Sequence, residues 1–508
     1  MSQIDKPITD TVKENSSNTL QAFWVSTGSL FTYSFAFVSA MILSRYFVKE
    51  DYGTYKQVLY VYATLLAVFT LGLPKAFSFF LPRVPLDEAK TLIKKLTNLF
   101  FLLGSVFSVI LFLFARQIAT FLQNSDLELA LKIFSPVPLL MLPTMGLEGI
   151  LSTYRKLKFL TIYKIATGLM QLLCVVLPVI LFKFGYIQAI IGFLTSSFFA
   201  FLLALFFQYM PVKNAGNKKT QITYNEVIRF SLPLMYASLW GMIIAAADQF
   251  FISRYFGKAV FAEFANGSLE LPFVGMIVGA CATVLSPVFS RLNHEKVDPK
   301  AEIFPIWKSV FEKTAILTYP LLLYCWFFAD VLIVVFFGEM YENSSIYFRI
   351  KSLINFLNLI VFAPLIISIG KTKFYANVHM VTAICLISFE YLSIQIFNSP
   401  YAIAVISLVC QIGKIFALLL FNAKFFGLPL YKLFPLKLLL KLILPSVLIL
   451  MLLHYSFVDL WVMNKLLILC FSFLIYFVVF FFLSFPLKIE YLSVVNPLIH
   501  KFLNKNNT

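Results

Sequence analysis

The sequence predicts an all-α polytopic membrane protein of about fourteen transmembrane helices: two six-helix lobes related by a pseudo-two-fold, plus two C-terminal helices. Three observations predict it. Of 508 residues, 60% are hydrophobic and only 13% charged, where a soluble domain carries roughly 25% charge. The apolar residues fall in runs of about 20, the length an α-helix needs to cross hydrocarbon. These runs are apolar on every face, whereas the strands of a transmembrane barrel alternate over about ten residues. Finally, Ser44-Arg45-Tyr46-Phe47 returns as Ser253-Arg254-Tyr255-Phe256, with Lys49 matched by Lys258, Tyr52 by Phe261 and Tyr55 by Phe264. Each copy lies where an apolar run ends, so the chain reads as two similar halves that open with the same helical hairpin.

Taken in order, residues 1–21 are polar and of mixed charge. They lack the basic start and short apolar core of a cleaved signal peptide and are expected to form a cytoplasmic leader. Spans are expected at about 22–44, 57–81, 96–118, 130–152, 160–182 and 186–209, which make an N-lobe over 22–209. Residues 210–227 form the longest polar turn and are expected to be a cytoplasmic linker. The C-lobe, 228–425, takes spans at about 228–252, 264–290, 309–337, 346–369, 375–397 and 401–425. Two more, 438–457 and 463–485, lie in the remaining segment 426–508 with a cytoplasmic tail.

Charge orients the bundle, because Lys and Arg accumulate on the cytoplasmic side. They crowd the even-numbered turns, such as Arg83, Lys90, Lys94 and Lys95 in the second and Arg155, Lys156, Lys158 and Lys164 in the fourth. They thin out in the odd-numbered turns, so both termini are expected in the cytoplasm. The net charge of +17 then reflects topology and contact with anionic membrane lipids; no nucleic-acid partner is expected.

Several chemistries find no support. The cysteines (174, 281, 325, 385, 410, 470) lie within apolar spans without a C-x-x-C pair, as reduced packing residues do. The four histidines share no metal-ligand spacing, and no P-loop or Gly-x-Ser-x-Gly elbow occurs. No metal, organic cofactor or catalytic residue is expected. What remains is charge at membrane depth, which costs at least roughly 2.5 kcal/mol and so tends to face a cavity or a partner. The residues concerned are Lys75, Glu148, Asp248, Glu270, Arg349, Lys351, Glu390 and Lys414, with Arg45 and Arg254 closing two spans. The ordinary explanations are snorkelling at the interface for Arg45, Arg254, Arg349 and Lys351, a near-interface position for Glu390, and a structural ion pair for Asp248. Helix breakers also lie inside spans: Gly72-Leu73-Pro74, Pro136, Pro138, Pro143, Pro233, Pro272, Pro287, Pro320 and Pro364. Small-residue stretches at 241–248 and 275–282 suit close packing or sliding.

Arg45, Tyr52-Gly53-x-Tyr55, Leu71-Gly72-Leu73, Asp248 and Gly370-Lys371-Thr372-Lys373, in that order over fourteen spans, resemble the Wzx-type polysaccharide flippases. Those belong to the multidrug/oligosaccharidyl-lipid/polysaccharide exporter superfamily. The chain departs from the pattern where Ala262 and Phe264 replace the usual Gly and Tyr. The resemblance implies two six-helix lobes around a central cavity in a bacterial inner membrane. It implies a substrate, an undecaprenyl-pyrophosphate-linked oligosaccharide moved from the inner to the outer leaflet for O-antigen, capsule or exopolysaccharide. A polysaccharide polymerase and a chain-length regulator are the implied protein partners.

A pyrophosphate needs basic groups to offset its desolvation, and Arg45, Lys75, Arg254, Arg349, Lys351 and Lys414 are the candidates. Asp248, Glu148 and Glu270 are candidates to bind a coupling H⁺ or Na⁺, while Tyr33, Tyr236 and Trp240 are candidates to stack on sugars, with apolar packing the ordinary explanation for each. A multidrug exporter of the same fold is the alternative and would favour an acidic or aromatic cavity. A membrane-embedded polysaccharide polymerase or ligase is a distant one, since such enzymes carry a long extracytoplasmic loop and every outward turn here is short.

Overall fold

The computed structural model describes residues 18–70, 72–360, 362–460, 464–489 and 491. Most of the expected leader, Leu71 and most of the expected tail lie outside them. All regular structure among the described residues is helical, and the chain is a multi-pass membrane protein. Eleven helices are long and apolar enough to cross a membrane, and two bent pairs raise the number to thirteen. The tenth expected span, 346–369, is instead a string of short helices, Ser344–Ser352, Ile354–Asn358 and Ala363–Ser368.

The chain divides into two compact units, Met1–Ala262 and Glu263–Thr508. The first opens with α1 (Asn18–Tyr46), which ends when Val48 turns extended (φ −66°, ψ 156°), and α2 (Lys49–Phe69) follows at once. Helix α2 starts eight residues before the expected apolar span. Glu50 and Asp51 in its first turn suit the positive end of the helix dipole, and hydropathy does not register such a polar extension. Gly72 then adopts a positive φ of 70°, which an L side chain resists. Pro74 restarts the helix as α3 (Pro74–Phe80) from the position it tolerates best. Helices α4 (Leu86–Leu113) and α5 (Ala115–Phe121) turn at Phe114. The expected fourth span is broken by its prolines into α6 (Asp126–Phe134), α7 (Val137–Met141), a 3₁₀ turn and α8 (Leu147–Thr153). Next come α9 (Leu157–Gln171), α10 (Leu177–Phe182), joined to α9 through a π-helical turn, and α11 (Tyr186–Tyr209).

Missing side chains set the packing of this unit. A Cβ on Gly168 of α9 would stand 2.2 Å from the Phe35 ring of α1, and one on Gly192 of α11 would stand 2.1 Å from the Cys174 carbonyl. Phe77 of α3 lies over Gly146 and Gly149, so α3 and α8 touch nearly backbone to side chain. The small-residue stretches behave otherwise: a Cβ on Gly241, Gly275 or Gly279 would meet nothing within 4 Å. Close packing through glycine is found at the glycines named above, while within 241–248 the buried residues are Ile244, Ala247 and Asp248.

Helix α12 (Tyr224–Gly267) carries the second copy of the repeat. It bends by 45° between Tyr236 and Ser238, just beyond Pro233, and breaks at Gly257 (φ 81°, ψ 174°). The chain therefore breaks one residue after the Ser-Arg-Tyr-Phe motif in both copies, at Val48 and at Gly257.

In the second unit, α13 (Pro272–His294) begins at Pro272, which thus starts a helix rather than kinking one. Helix α14 (Phe304–Phe327) meets α15 (Ala329–Phe337) at 75°, so the expected ninth span, 309–337, is bent at Phe328. The turn residue Phe328 (φ −95°, ψ 25°) matches Phe114 (φ −95°, ψ 8°) of the first unit, which extends the repeat beyond its sequence signature. Helices α16 (Ser344–Ser352), α17 (Ile354–Asn358) and α18 (Ala363–Ser368) precede α19 (Thr372–Phe397) and α20 (Pro400–Phe426). The final pair, α21 (Leu436–His454) and α22 (Lys465–Ser484), is held by buried tyrosines. Tyr324 of α14 donates to the Leu469 carbonyl at 2.9 Å, and Tyr476 of α22 bonds Ser446 of α21 at 2.9 Å and the Pro320 carbonyl at 3.2 Å. Unmade hydrogen bonds are costly away from water, which is why each phenol finds a partner.

Candidate functional site

In the first unit two polar constellations stand at opposite ends of the helices. The first surrounds Lys75. It is exposed on α3, one turn before Ser78, which is also exposed; residues three apart share a helix face. Ser78 lies against Gly149 of α8, and the neighbouring Glu148 is exposed. Lys164 of α9 points its Nζ toward Glu148 Oε2 at 3.8 Å and Ser29 Oγ of α1 at 3.5 Å. By its sequence position Lys164 counts with the basic fourth turn, which is expected in the cytoplasm. The structure places it about 10 Å along α9, at 1.5 Å per residue. The signal was legible as a lone Lys after Phe159, Leu160, Thr161, Ile162 and Tyr163. Thus two of the expected residues, Lys75 and Glu148, come from packed helices, and a third charge joins them.

The other constellation belongs to the repeat motif. Gly53 of α2 lies under the Lys258 backbone, where a Cβ would stand 2.0 Å from the carbonyl oxygen. Lys258 pairs with Asp126 at the start of α6. Arg254 is half-buried and donates to the Thr120 carbonyl at 3.3 Å. Beneath them Asn124 donates to Thr54 at 3.0 Å and to Gln57, which in turn donates to Ser253 at 2.7 Å. These four side chains are buried and satisfy one another, as a polar network in a membrane protein must. Arg45 is exposed at the end of α1, and Asp248 of α12 is buried with 2% of its surface exposed. Among the aromatic candidates Tyr33 and Tyr236 are exposed, and Tyr236 meets Trp240 edge-on at 6.2 Å.

In the second unit, Arg349 of α16 is occupied. It donates to the carbonyls of Trp326 and Phe327 at 3.3 Å each, capping the end of α14, and pairs with Asp330 at 3.2 Å. Asp330 Oδ2 lies 3.3 Å from His454 Nε2. Neither Asp330 nor His454 was among the expected site residues; the bend after Phe327 turns Asp330 toward them. Lys351 donates to Ser407 of α20 at 3.1 Å and lies 5.8 Å from the Phe264 ring. Lys414 is half-buried on α20, near enough to His379 of α19 for their charges to interact. Glu390 of α19 is fully buried. Glu270 lies exposed in the break before α13, not on the eighth span where it was expected, because the helix starts only at Pro272.

The Arg349–Asp330–His454 cluster joins α15, α16 and α21 inside one unit. Asp330→Asn is expected to lower stability by about 1–3 kcal/mol, the cost of leaving a partly buried charge without its partner. Thermal unfolding in detergent checks this, and Asp330→Glu should recover part of the loss.

Among the described residues no group of three His, Cys, Asp or Glu is placed to hold a metal ion. The chemistry on offer is binding: a basic and hydroxylated face around Lys75, and cation-rich ends at both copies of the motif.

The chain matches the family model described as "Polysaccharide biosynthesis protein" over residues 13–346. No curated protein matches it. Among solved structures it is similar to "Lipid II flippase MurJ, inward closed conformation", with a TM-score of 0.72 and 16% identity over 90% of this chain and 97% of that one. A "multidrug resistance MATE family transporter of the MOP superfamily" in an inward-facing conformation gives 0.63 and 12% identity, over 81% of this chain and 99% of that one. A MOP superfamily transporter from Pyrococcus furiosus gives 0.55 and 12% identity, over 80% and 94% respectively. At these identities the likeness is one of fold: the chain has the two-lobe fold of the MOP superfamily.

Proposed function

This chain belongs to the polysaccharide biosynthesis protein family, and we propose that it is a transporter that moves a polyprenyl-diphosphate-linked oligosaccharide across the bacterial inner membrane. The observation that carries the reading is the conjunction of family and fold. A polysaccharide biosynthesis family member folded as lipid and drug transporters are folded has a ready task in carrying a sugar precursor between leaflets. The diphosphate enters from the cytoplasm beside Lys75, on the face shared with Ser78. There the ammonium offsets part of the desolvation of the anion. The prenyl chain stays in lipid while sugar and diphosphate pass through a hydrated cavity by alternating access. Exposed Tyr236 and its half-buried neighbour Trp240 offer rings for sugar stacking. A coupling H⁺ or Na⁺ at Asp248 would reset the cycle, and a polymerase would take the product.

Proteoliposomes test the reading. With a fluorescent undecaprenyl-diphosphate oligosaccharide in one leaflet, the protein is expected to make it accessible from the other. Uptake of organic cations on an ion gradient, with no movement of any lipid-linked sugar, would move the assignment to drug export.

A further inference from the structure

We infer that Lys164 is an anion-binding residue for the diphosphate and that Glu148 is its exchangeable partner, holding the ammonium until the substrate arrives. The inference rests on the transport reading and gives the first unit a second cation beside Lys75.

Its basis is how Lys164 is seated. The stem crosses α1 at Gly28, where a Cβ would stand 3.1 Å from Lys164 Cδ and 3.3 Å from the Thr161 backbone. The missing side chain thus makes a groove that carries the methylenes, as long cations bury their stems while presenting the charge. Thr161, one turn earlier, fixes α9 to α1 by donating to the Trp24 carbonyl at 2.6 Å. The ammonium arrives with loose partners, Glu148 at 3.8 Å and Ser29 at 3.5 Å. Both distances exceed the 2.7–2.9 Å of a tight charge-assisted bond. The exposures are asymmetric: the Lys164 side chain is 22% exposed and that of Glu148 is 60%. A pair built for stability would hold its carboxylate as firmly as its cation. Here the cation is seated and the acid is free to swing away. Lys75 and Ser78 stand on α3, which packs against α8, the helix bearing Glu148.

Opposite signs test the exchange. Binding of farnesyl diphosphate to the full-length protein in nanodiscs is measured by calorimetry, with farnesol as the uncharged control. Lys164→Gln is expected to raise the Kd at least about tenfold, the cost of losing one charged contact, with Lys164→Arg recovering most of it. Glu148→Gln is expected to lower the Kd about two- to fivefold, since an exposed pair opposes the ligand only weakly. Inorganic pyrophosphate is expected to compete with the probe in the wild type and to do so at least about tenfold more weakly in Lys164→Gln, by the same lost contact. Competition by phosphatidylglycerol but not by pyrophosphate would assign Lys164 to bulk lipid and overturn the inference. So would equal weakening by both substitutions, the mark of a structural ion pair. If the wild type binds farnesyl diphosphate and Lys164→Gln binds it equally, this inference fails and the transport reading stands. If the wild type binds none, both fail.

Discussion

Gly53→Ala is expected to destabilise the first unit by about 3 kcal/mol, the upper range for forcing an extra methyl into a packed site. The added Cβ would stand 2.0 Å from the Lys258 carbonyl oxygen and 2.7 Å from its carbon. The obstacle is backbone, so no side chain can rotate out of the way. Helix α2 or the segment after Gly257 must move instead, and this drags on the Asp126–Lys258 pair and the Asn124–Gln57–Ser253 network. Thermal unfolding followed by size-exclusion fluorescence measures the effect. Gly241→Ala is the control, because a Cβ there meets nothing within 4 Å; its midpoint should stay near the wild type's. An unchanged midpoint for Gly53→Ala would mean that the two backbones are not in contact. The same geometry explains the departure in the second copy of the motif. Ala262, the counterpart of Gly53, is fully buried yet carries a methyl, so that position in the second copy does not require a glycine.

Two kinds of information separate what was legible in the sequence from what was not. Apolar runs and the repeated Ser-Arg-Tyr-Phe gave the bundle and the equivalent breaks at Val48 and Gly257, because desolvation and backbone geometry act locally. The break at Gly72-Leu73-Pro74 was legible for the same reason. Lys164 and Asp330 were not. Lys164 counts with a basic turn in the sequence because proximity to a span end ignores how far the helix itself extends. Asp330 was absorbed into a long apolar run because hydropathy averages over a 75° turn at Phe328. Glu270 failed in the opposite direction: a run counted as one span contains the non-helical residues 269–271. Which charges share a face is decided by packing between helices far apart in sequence, such as Phe77 on Gly146 and Gly149. No window of one segment reports that.

Lys75→Glu is expected to abolish leaflet transport of the lipid-linked sugar, to at most about a tenth of the wild-type rate, while the protein stays folded. The two halves of that expectation have separate grounds. Loss of one charge-assisted contact costs roughly 1.5–3 kcal/mol, which is already tenfold or more in rate when the contact is made along the transport path. Reversal adds repulsion to the loss. Folding is spared because Lys75 is exposed, and exposed substitutions usually stay within about 0.5 kcal/mol. The position argues further. Lys75 is the second residue of α3, directly after Pro74, where unsatisfied amides favour an acid over a cation. Glutamate should therefore suit the local helix better than the native lysine does. A residue placed against its own helix, at membrane depth, needs a reason outside that helix, and an anionic substrate supplies one. Proteoliposome transport and the thermal midpoint, measured on the same preparation, separate the cases. Lost transport with an unchanged or raised midpoint places Lys75 on the substrate path. Retained transport removes it, and the ammonium is then a surface charge that the lipid headgroups accommodate.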